Sequence, residues 1–217
     1  MAYTSAAQTI SIATALIASG GILSLSLFDV PELQSQPADR ALPSIRFLFS
    51  RGSHTFPQAA TLSSAGFTYL AYTSLPAAQQ SVTGLLKMAA SGGKVSAYLA
   101  AAALAFSIAP WTGLMIPTNF ALIQMNEDLG GAPSQAKADR SDFQTGGRSA
   151  KESVNSAGVV DELSDLSGPQ QRTEKRSSAE DDRKVRELLT KFGRLNVVRA
   201  ALIGAGGVVG LVAAVGA

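Results

Sequence analysis

Charge is withheld from long tracts of this chain. Between Lys94 and Glu127 no residue is charged, and about 20 mostly apolar residues are enough to cross a bilayer core as a helix. This tract predicts a membrane span, with its apolar part at about 95–117. The N-terminal tract is also uncharged, to Phe28. Its apolar part, about 6–28, lacks a positive n-region and exceeds an h-region of roughly 7–15 residues, so it reads as a retained span and not as a cleaved signal. Between Arg51 and Lys87 only His54 is titratable at neutral pH. Residues 56–75 are long enough for a further span, although Gln58, Thr61, Ser63, Ser64 and Thr68 require one side of it to face other helices or a cavity. The C-terminal stretch, VRELLTKFGRLNVVRAALIGAGGVVGLVAAVGA, gives an amphipathic lead-in from near Asp182 and then a last span. The expected fold is all-α, a four-helix transmembrane bundle. Ala18 to Gly21, and Gly204, Gly206, Gly207 and Gly210, offer small-residue faces on which helices pack closely.

The intervening segments read as polar connections. Asp29 to His54, with Pro31, Pro37 and Pro43, predicts a loop outside the hydrocarbon, and Ser91-Gly92-Gly93 predicts a helix stop and restart. From Glu127 to about Glu187 few large apolar residues occur among many Gly, Ser, Asp, Glu, Lys and Arg, a composition that predicts a long disordered charged insert with one short helix at Gly158 to Leu166. The organisation is therefore residues 1–126 with three spans, 127–181 as disordered polar loop, and 182–217 as lead-in helix and fourth span.

Composition narrows the chemistry. With 46% hydrophobic and 16% charged residues, the partner is a lipid bilayer. A net charge of +2, with basic and acidic residues interleaved, argues against nucleic acid. No cysteine and a single histidine exclude disulfides, thiolate and iron–sulfur sites and histidine clusters for metals. No dinucleotide-binding or P-loop glycine pattern and no carboxylate within the spans is present, so neither metal nor flavin nor nicotinamide is expected.

A few polar residues stand inside the spans. Arg199 lies about two turns into the last one, and Asn196 precedes it by three residues on the same helix face. An arginine at membrane depth costs about 2.5 kcal/mol or more at the bilayer centre and normally faces the bundle interior, the alternative being snorkelling to the interface. Pro110, Trp111, Thr112, Pro117, Thr118 and Asn119 interrupt the central span with polar and helix-breaking residues, which a plain anchor would not need; irregular backbone there calls for a neighbouring protein surface or cavity. By residue type alone, Asn119 serves as helix glue or as a polar site group, and Trp111 as interfacial anchor or stacking platform. His54 belongs to the one residue type whose ordinary charge change falls near neutral pH, which suits either a loop histidine or a base.

Four pieces together, RGSHTFPQAA followed by YLAY, then APWTGLMIPTNFAL, and KFGRLNVVRAAL, resemble the fungal anthrone oxygenases, integral membrane proteins of aromatic polyketide pathways. The P-x-N-x-x-L element (Pro117, Asn119, Leu122) and the N-x-x-R element (Asn196, Arg199) carry most of the resemblance, which covers all four spans and leaves the charged insert outside. It implies a multi-pass protein of an endomembrane such as the endoplasmic reticulum, and a monooxygenase that uses O2 to convert the central methylene of an anthrone to the anthraquinone without a cofactor. The residues permit a mechanism for this in which His54 would remove the ring proton, and Arg199 and Asn119, supported by Asn196, would stabilise the resulting anion. Trp111 and Tyr72 would flank the flat substrate, an aromatic polyketide, and association with other pathway enzymes is expected. The other function that this architecture allows is a non-catalytic tetraspan scaffold or small-molecule carrier.

Overall fold

The computed structural model describes residues 2–140, 146–156 and 165–216; among these every regular element is a helix. In chain order they are α1 (Ala2–Ser24), a π-helical turn (Leu25–Asp29), α2 (Val30–Gln34), α3 (Ala38–Thr73), α4 (Val82–Ala89), α5 (Gly93–Phe106), α6 (Ile108–Asp128), the short α7 (Gln135–Ala138) and α8 (Ala150–Ser156), and α9 (Ala179–Val215). Three helical stretches are long and apolar enough to cross a membrane: Tyr3–Gln34, Gly93–Asp128 and Ala179–Val215. The expected second span, 56–75, is not among them. It is the C-terminal half of α3, a helix of 36 residues.

Several expected boundaries moved. The predicted loop at Asp29 to His54 is helical, with Ala38, Ala41, Leu42, Ile45, Arg46 and Ser50 buried at helical spacing. Pro43 is tolerated inside α3 because the carbonyl it frees, that of Asp39, accepts the Thr173 N–H at 2.8 Å. The central span breaks at Ser107 and not at its prolines. Pro110 falls in the first turn of α6, where N–H groups lack helical partners anyway, and the helix continues through Pro117. Gly92 and Gly93, with φ of 78° and 79°, make the predicted stop and restart before α5.

The chain divides into two compact units. The first comprises Met1–Leu23, Phe56–Gly113 and Val197–Ala217. In it the C-terminal half of α9 approaches its neighbours where glycine leaves room. A Cβ on Gly210 would overlap the Phe67 ring of α3, one on Gly207 would stand 2.8 Å from Leu16 of α1, and one on Gly206 2.9 Å from the Ala101 carbonyl of α5. Ser19 donates to the Ala200 carbonyl at 2.8 Å, Ser64 to that of Ala102 at 3.0 Å, and Gln8 to the Tyr98 hydroxyl at 2.8 Å. Phe67 stacks on Tyr98, and Leu70, Ile22 and Ile203 complete this core. Segments of α1, α3, α5 and α9 thus pack around one apolar centre, with hydroxyls satisfied by carbonyls of adjacent helices.

The second unit comprises Ser24–Thr55 and Leu114–Asn196. It contains much of the segment expected to be disordered, and the described parts of that segment are tied down. Arg148 forms a bidentate pair with the fully buried Glu127 (2.7 and 3.0 Å), Ser153 donates to the same carboxylate at 2.6 Å, and the buried Arg46 reaches Ser153 and Ser50. Lys175 N–H donates to the Leu129 carbonyl at 3.0 Å, and Ala132 N–H to Gln170 at 2.8 Å. Reciprocal capping boxes start α8 (Ser149 with Glu152) and α9 (Ser178 with Asp181). The Ser149 hydroxyl and N–H hold the Glu152 carboxyl below its ordinary range. The charges of this insert therefore serve partly as internal partners. The helix expected at Gly158 to Leu166 falls almost wholly outside the described residues.

Two outcomes test this packing. Gly210→Ala should destabilise the protein by about 1–3 kcal/mol through overlap with Phe67, whereas Gly20→Ala, where a Cβ meets nothing within 4 Å, should be neutral or stabilising by up to about 1 kcal/mol; thermal unfolding in detergent reads both. Glu127→Gln should cost about 3–5 kcal/mol, because it strands Arg148 beside a buried site, and denaturation of the purified variant measures it.

Candidate active site

α9 carries a buried stripe at Leu189, Phe192, Asn196, Ala200 and Ile203, with spacings of three and four residues. Within that stripe a buried amide needs a partner. Asn196 is fully buried, yet neither its Nδ2 nor its Oδ1 has a hydrogen-bond partner. Such groups are rare in native proteins, since leaving a buried amide unpaired costs roughly 1–3 kcal/mol by protein mutational data.

Arg199, in the first unit, is half-buried, and its Cζ stands 5.6 Å from the centroid of the Phe56 ring. Phe56 is backed by α1, for a Cβ on Gly21 would come within 3.3 Å of the ring. A guanidinium over an aromatic face gains about 0.5–2 kcal/mol, which helps to hold it away from bulk water. Its Nε remains buried without a hydrogen-bond partner.

Helix register decides which aromatic residues share this level. α3 and α5 run antiparallel, Phe67 against Tyr98 and Ser64 against Ala102, and continuing that pairing sets residues 109–110 opposite Phe56. Trp111, half-buried, therefore stands at the Arg199 end. Tyr72 does not. It lies 16 residues beyond Phe56 on α3, about 24 Å along the helix, and its hydroxyl donates to the Gln80 carbonyl at 3.1 Å. The expected pairing of Trp111 with Tyr72 around one ring system is not supported by this geometry.

His54, Asn119 and Asn196 belong to the second unit. His54 lies within α3 and not in a loop; its Nδ1 stands 2.7 Å from the Ser50 carbonyl, which can only accept, so Nδ1 carries the proton. Phe49 of α3 meets Phe192 of α9 edge-on, with centroids 5.1 Å apart. Five residues further along, His54 is turned about 140° from that contact. The histidine is thus directed away from the α9 face that carries Asn196. Asn119 is half-buried with its Oδ1 unpartnered.

The structure adds polar groups that pattern reading passed over. Asn126 on α6 and Ser26 in the π-helical turn have buried unpartnered polar atoms, as does Thr118, which the sequence had marked among the polar residues of the central span. Asn126 closes the uncharged tract two turns after Asn119, and that spacing was the available signal. π-Helical turns recur at functional sites, because the extra residue re-aims side chains. No group of three or more His, Cys, Asp or Glu able to hold a metal occurs among the described residues.

A family model described as Anthrone oxygenase matches residues 45–209, well over half of the chain. The match begins after α1, so it does not extend over the first of the expected spans, and it runs through the charged insert. No curated protein and no solved structure matches the chain.

A buried amide kept for function should be dispensable for stability. Asn196→Leu, nearly isosteric and apolar, is expected to raise the unfolding free energy by about 1 kcal/mol or more in the absence of substrate. Thermal unfolding of the purified variant measures this; a loss of stability would make Asn196 a structural residue.

Proposed function

Because this chain belongs to the anthrone oxygenase family, we propose that it is a four-span membrane monooxygenase that converts the central methylene of an anthrone to the anthraquinone with O2. The reaction balances without an added reductant. The methylene carbon loses two hydrogens and gains one oxygen atom from O2, and the other oxygen leaves with those hydrogens as water. The substrate supplies the electrons. Removal of the first proton gives a delocalised anion whose charge rests mostly on the ketone oxygen, and that anion is electron-rich enough to reduce O2.

The observation that carries this reading is Arg199, a guanidinium held at depth over Phe56 with an unspent Nε donor. A fixed cation in a water-poor site stabilises charge that develops on an enolate-like oxygen, and it does so without reorganisation during the step. For the amides the support is the family resemblance: Asn196, one turn earlier on α9, and Asn119 of the P-x-N-x-x-L element are the further donors expected from it. Trp111, at the level of Phe56, is the aromatic residue suited to the flat rings. The first proton passes to the imidazole of His54, the base assigned to this step, while pairing of the anion raises the acidity of the methylene. A flat, apolar, poorly soluble substrate partitions into lipid, which accounts for a multi-pass enzyme of an endomembrane such as the endoplasmic reticulum, close to the enzymes that make the anthrone.

Purified protein, freed of metal and flavin, should form quinone from an anthrone and O2 faster than the uncatalysed autoxidation. Arg199→Ala should lower kcat by about 100- to 1000-fold while helical content, read by circular dichroism, is retained. Unchanged turnover would remove Arg199 from the mechanism, and absence of quinone with wild-type protein would leave the scaffold or carrier role.

A further inference from the structure

We propose that Asn126 is a specificity-determining residue, the amide that reads an oxygen substituent on an outer ring of the substrate; the inference rests on the oxygenase reading above. It begins from one face of α6. Met115, Thr118, Leu122 and Asn126 follow at intervals of three and four residues and all are buried. Asn119 borders this face, seven residues before Asn126, which places the two amides about 20° apart around the helix and about 10 Å apart along it. Between them stands the fully buried Leu122. The sequence of surfaces is therefore amide, apolar, amide.

Asn126 has no exposed surface, and both its Nδ2 and its Oδ1 lack partners. A primary amide offers two donors and two acceptor lone pairs, so this side chain leaves its whole capacity unused. Buried amides of this kind are kept where a ligand or water completes them. Space for it is provided by Gly131, where a Cβ would overlap the Asn126 side chain. The backbone there is fixed by the Gly131 N–H donating to the Asn126 carbonyl at 2.7 Å. Gly131 does not have a positive φ, so it is required for room and not for conformation.

The spacing selects the ligand chemistry. Two amides about 10 Å apart, less one hydrogen bond at each end, bracket oxygens that sit on different rings of a linearly fused tricycle, and Leu122 meets the apolar middle. With Asn119 taken as the amide that meets the ketone oxygen, Asn126 is left to a phenolic hydroxyl or its equivalent on an outer ring. A site built to bond a hydroxyl discriminates strongly against the analogue without it, because its own polar group is then left unpaired.

The test compares an anthrone hydroxylated on an outer ring, away from the ketone, with unsubstituted anthrone, in wild-type protein and in Asn126→Leu. The preference for the hydroxylated compound, as a ratio of kcat/KM values, should fall roughly 10- to 100-fold in the variant, with the loss falling mainly on the hydroxylated compound. Gly131→Ala, which displaces the amide without deleting it, should lower the same ratio and serves where Asn126→Leu does not fold. Binding of the two corresponding anthraquinones, followed by their visible absorbance, reads the same preference without turnover. A ratio unchanged by both substitutions, or equal loss toward both compounds, overturns the assignment. If wild-type protein turns over neither anthrone, the oxygenase reading fails, and the quinone-binding ratio still decides whether Asn126 reads the hydroxyl.

Discussion

The glycine-mediated approach of α9 to α1, α3 and α5 is what the rest of the first unit depends on. Lipid tails are as apolar as leucine, so helices in a membrane gain nothing from burying apolar surface against one another; close van der Waals contact and interhelical hydrogen bonds must hold them. Gly204, Gly206, Gly207 and Gly210 bring the α9 backbone against Ser19, Ala101, Leu16 and Phe67 in turn. Four contacts on three helices fix the axial position of α9, and hence the height at which Arg199 stands. Shifted by one turn, the guanidinium would lose the Phe56 face and the seat that Gly21 leaves for that ring.

The second unit solves a different problem, that of charge. Glu127 ends the uncharged tract and is completely buried, and it is neutralised by Arg148 and capped by Ser153, both from the insert. An ion taken out of water costs several kcal/mol unless its remaining lone pairs are bonded. The insert supplies those bonds. Its polar composition is consistent with this role, since a segment that partners buried charge needs few large apolar residues of its own.

The spans at the two ends and centre of the chain were legible because absence of charge over a bilayer's length is a coarse property that a few local exceptions do not erase. α3 was not, because its first half alternates arginines with Ala38, Ala41, Leu42 and Ile45, and prolines at 37 and 43 outweighed that period in a residue-by-residue reading. What permits Pro43 is the Thr173 N–H, from a segment far away in sequence. The same limit applied to the insert: composition counts charges but does not show their partners, although the S-x-x-E and S-x-x-D capping boxes before α8 and α9 were local signals of order. Among the candidate site residues, Arg199 and Asn196 could be read from their rarity in an apolar tract. Tyr72 was misplaced because only helix register tells which end of α3 an aromatic residue occupies, and His54 because a loop leaves its direction free whereas a helix fixes it.

Unpaired buried amides then separate function from architecture. A polar side chain kept only to hold helices together finds a partner in the folded chain, as Ser19, Ser64 and Gln8 do. Asn126 and Asn196 do not, although Leu122, one turn before the first, and Phe192 and Ala200, one turn either side of the second, are buried. Replacing either by leucine would relieve a penalty of roughly 1–3 kcal/mol, a gain available through a simple change of side chain. A costly group at two positions, each one or two turns from a residue of the P-x-N-x-x-L or N-x-x-R element, is what a site that gives up stability to meet a ligand requires, and it is the ground on which Asn126 and Asn196 are proposed as ligand-facing residues.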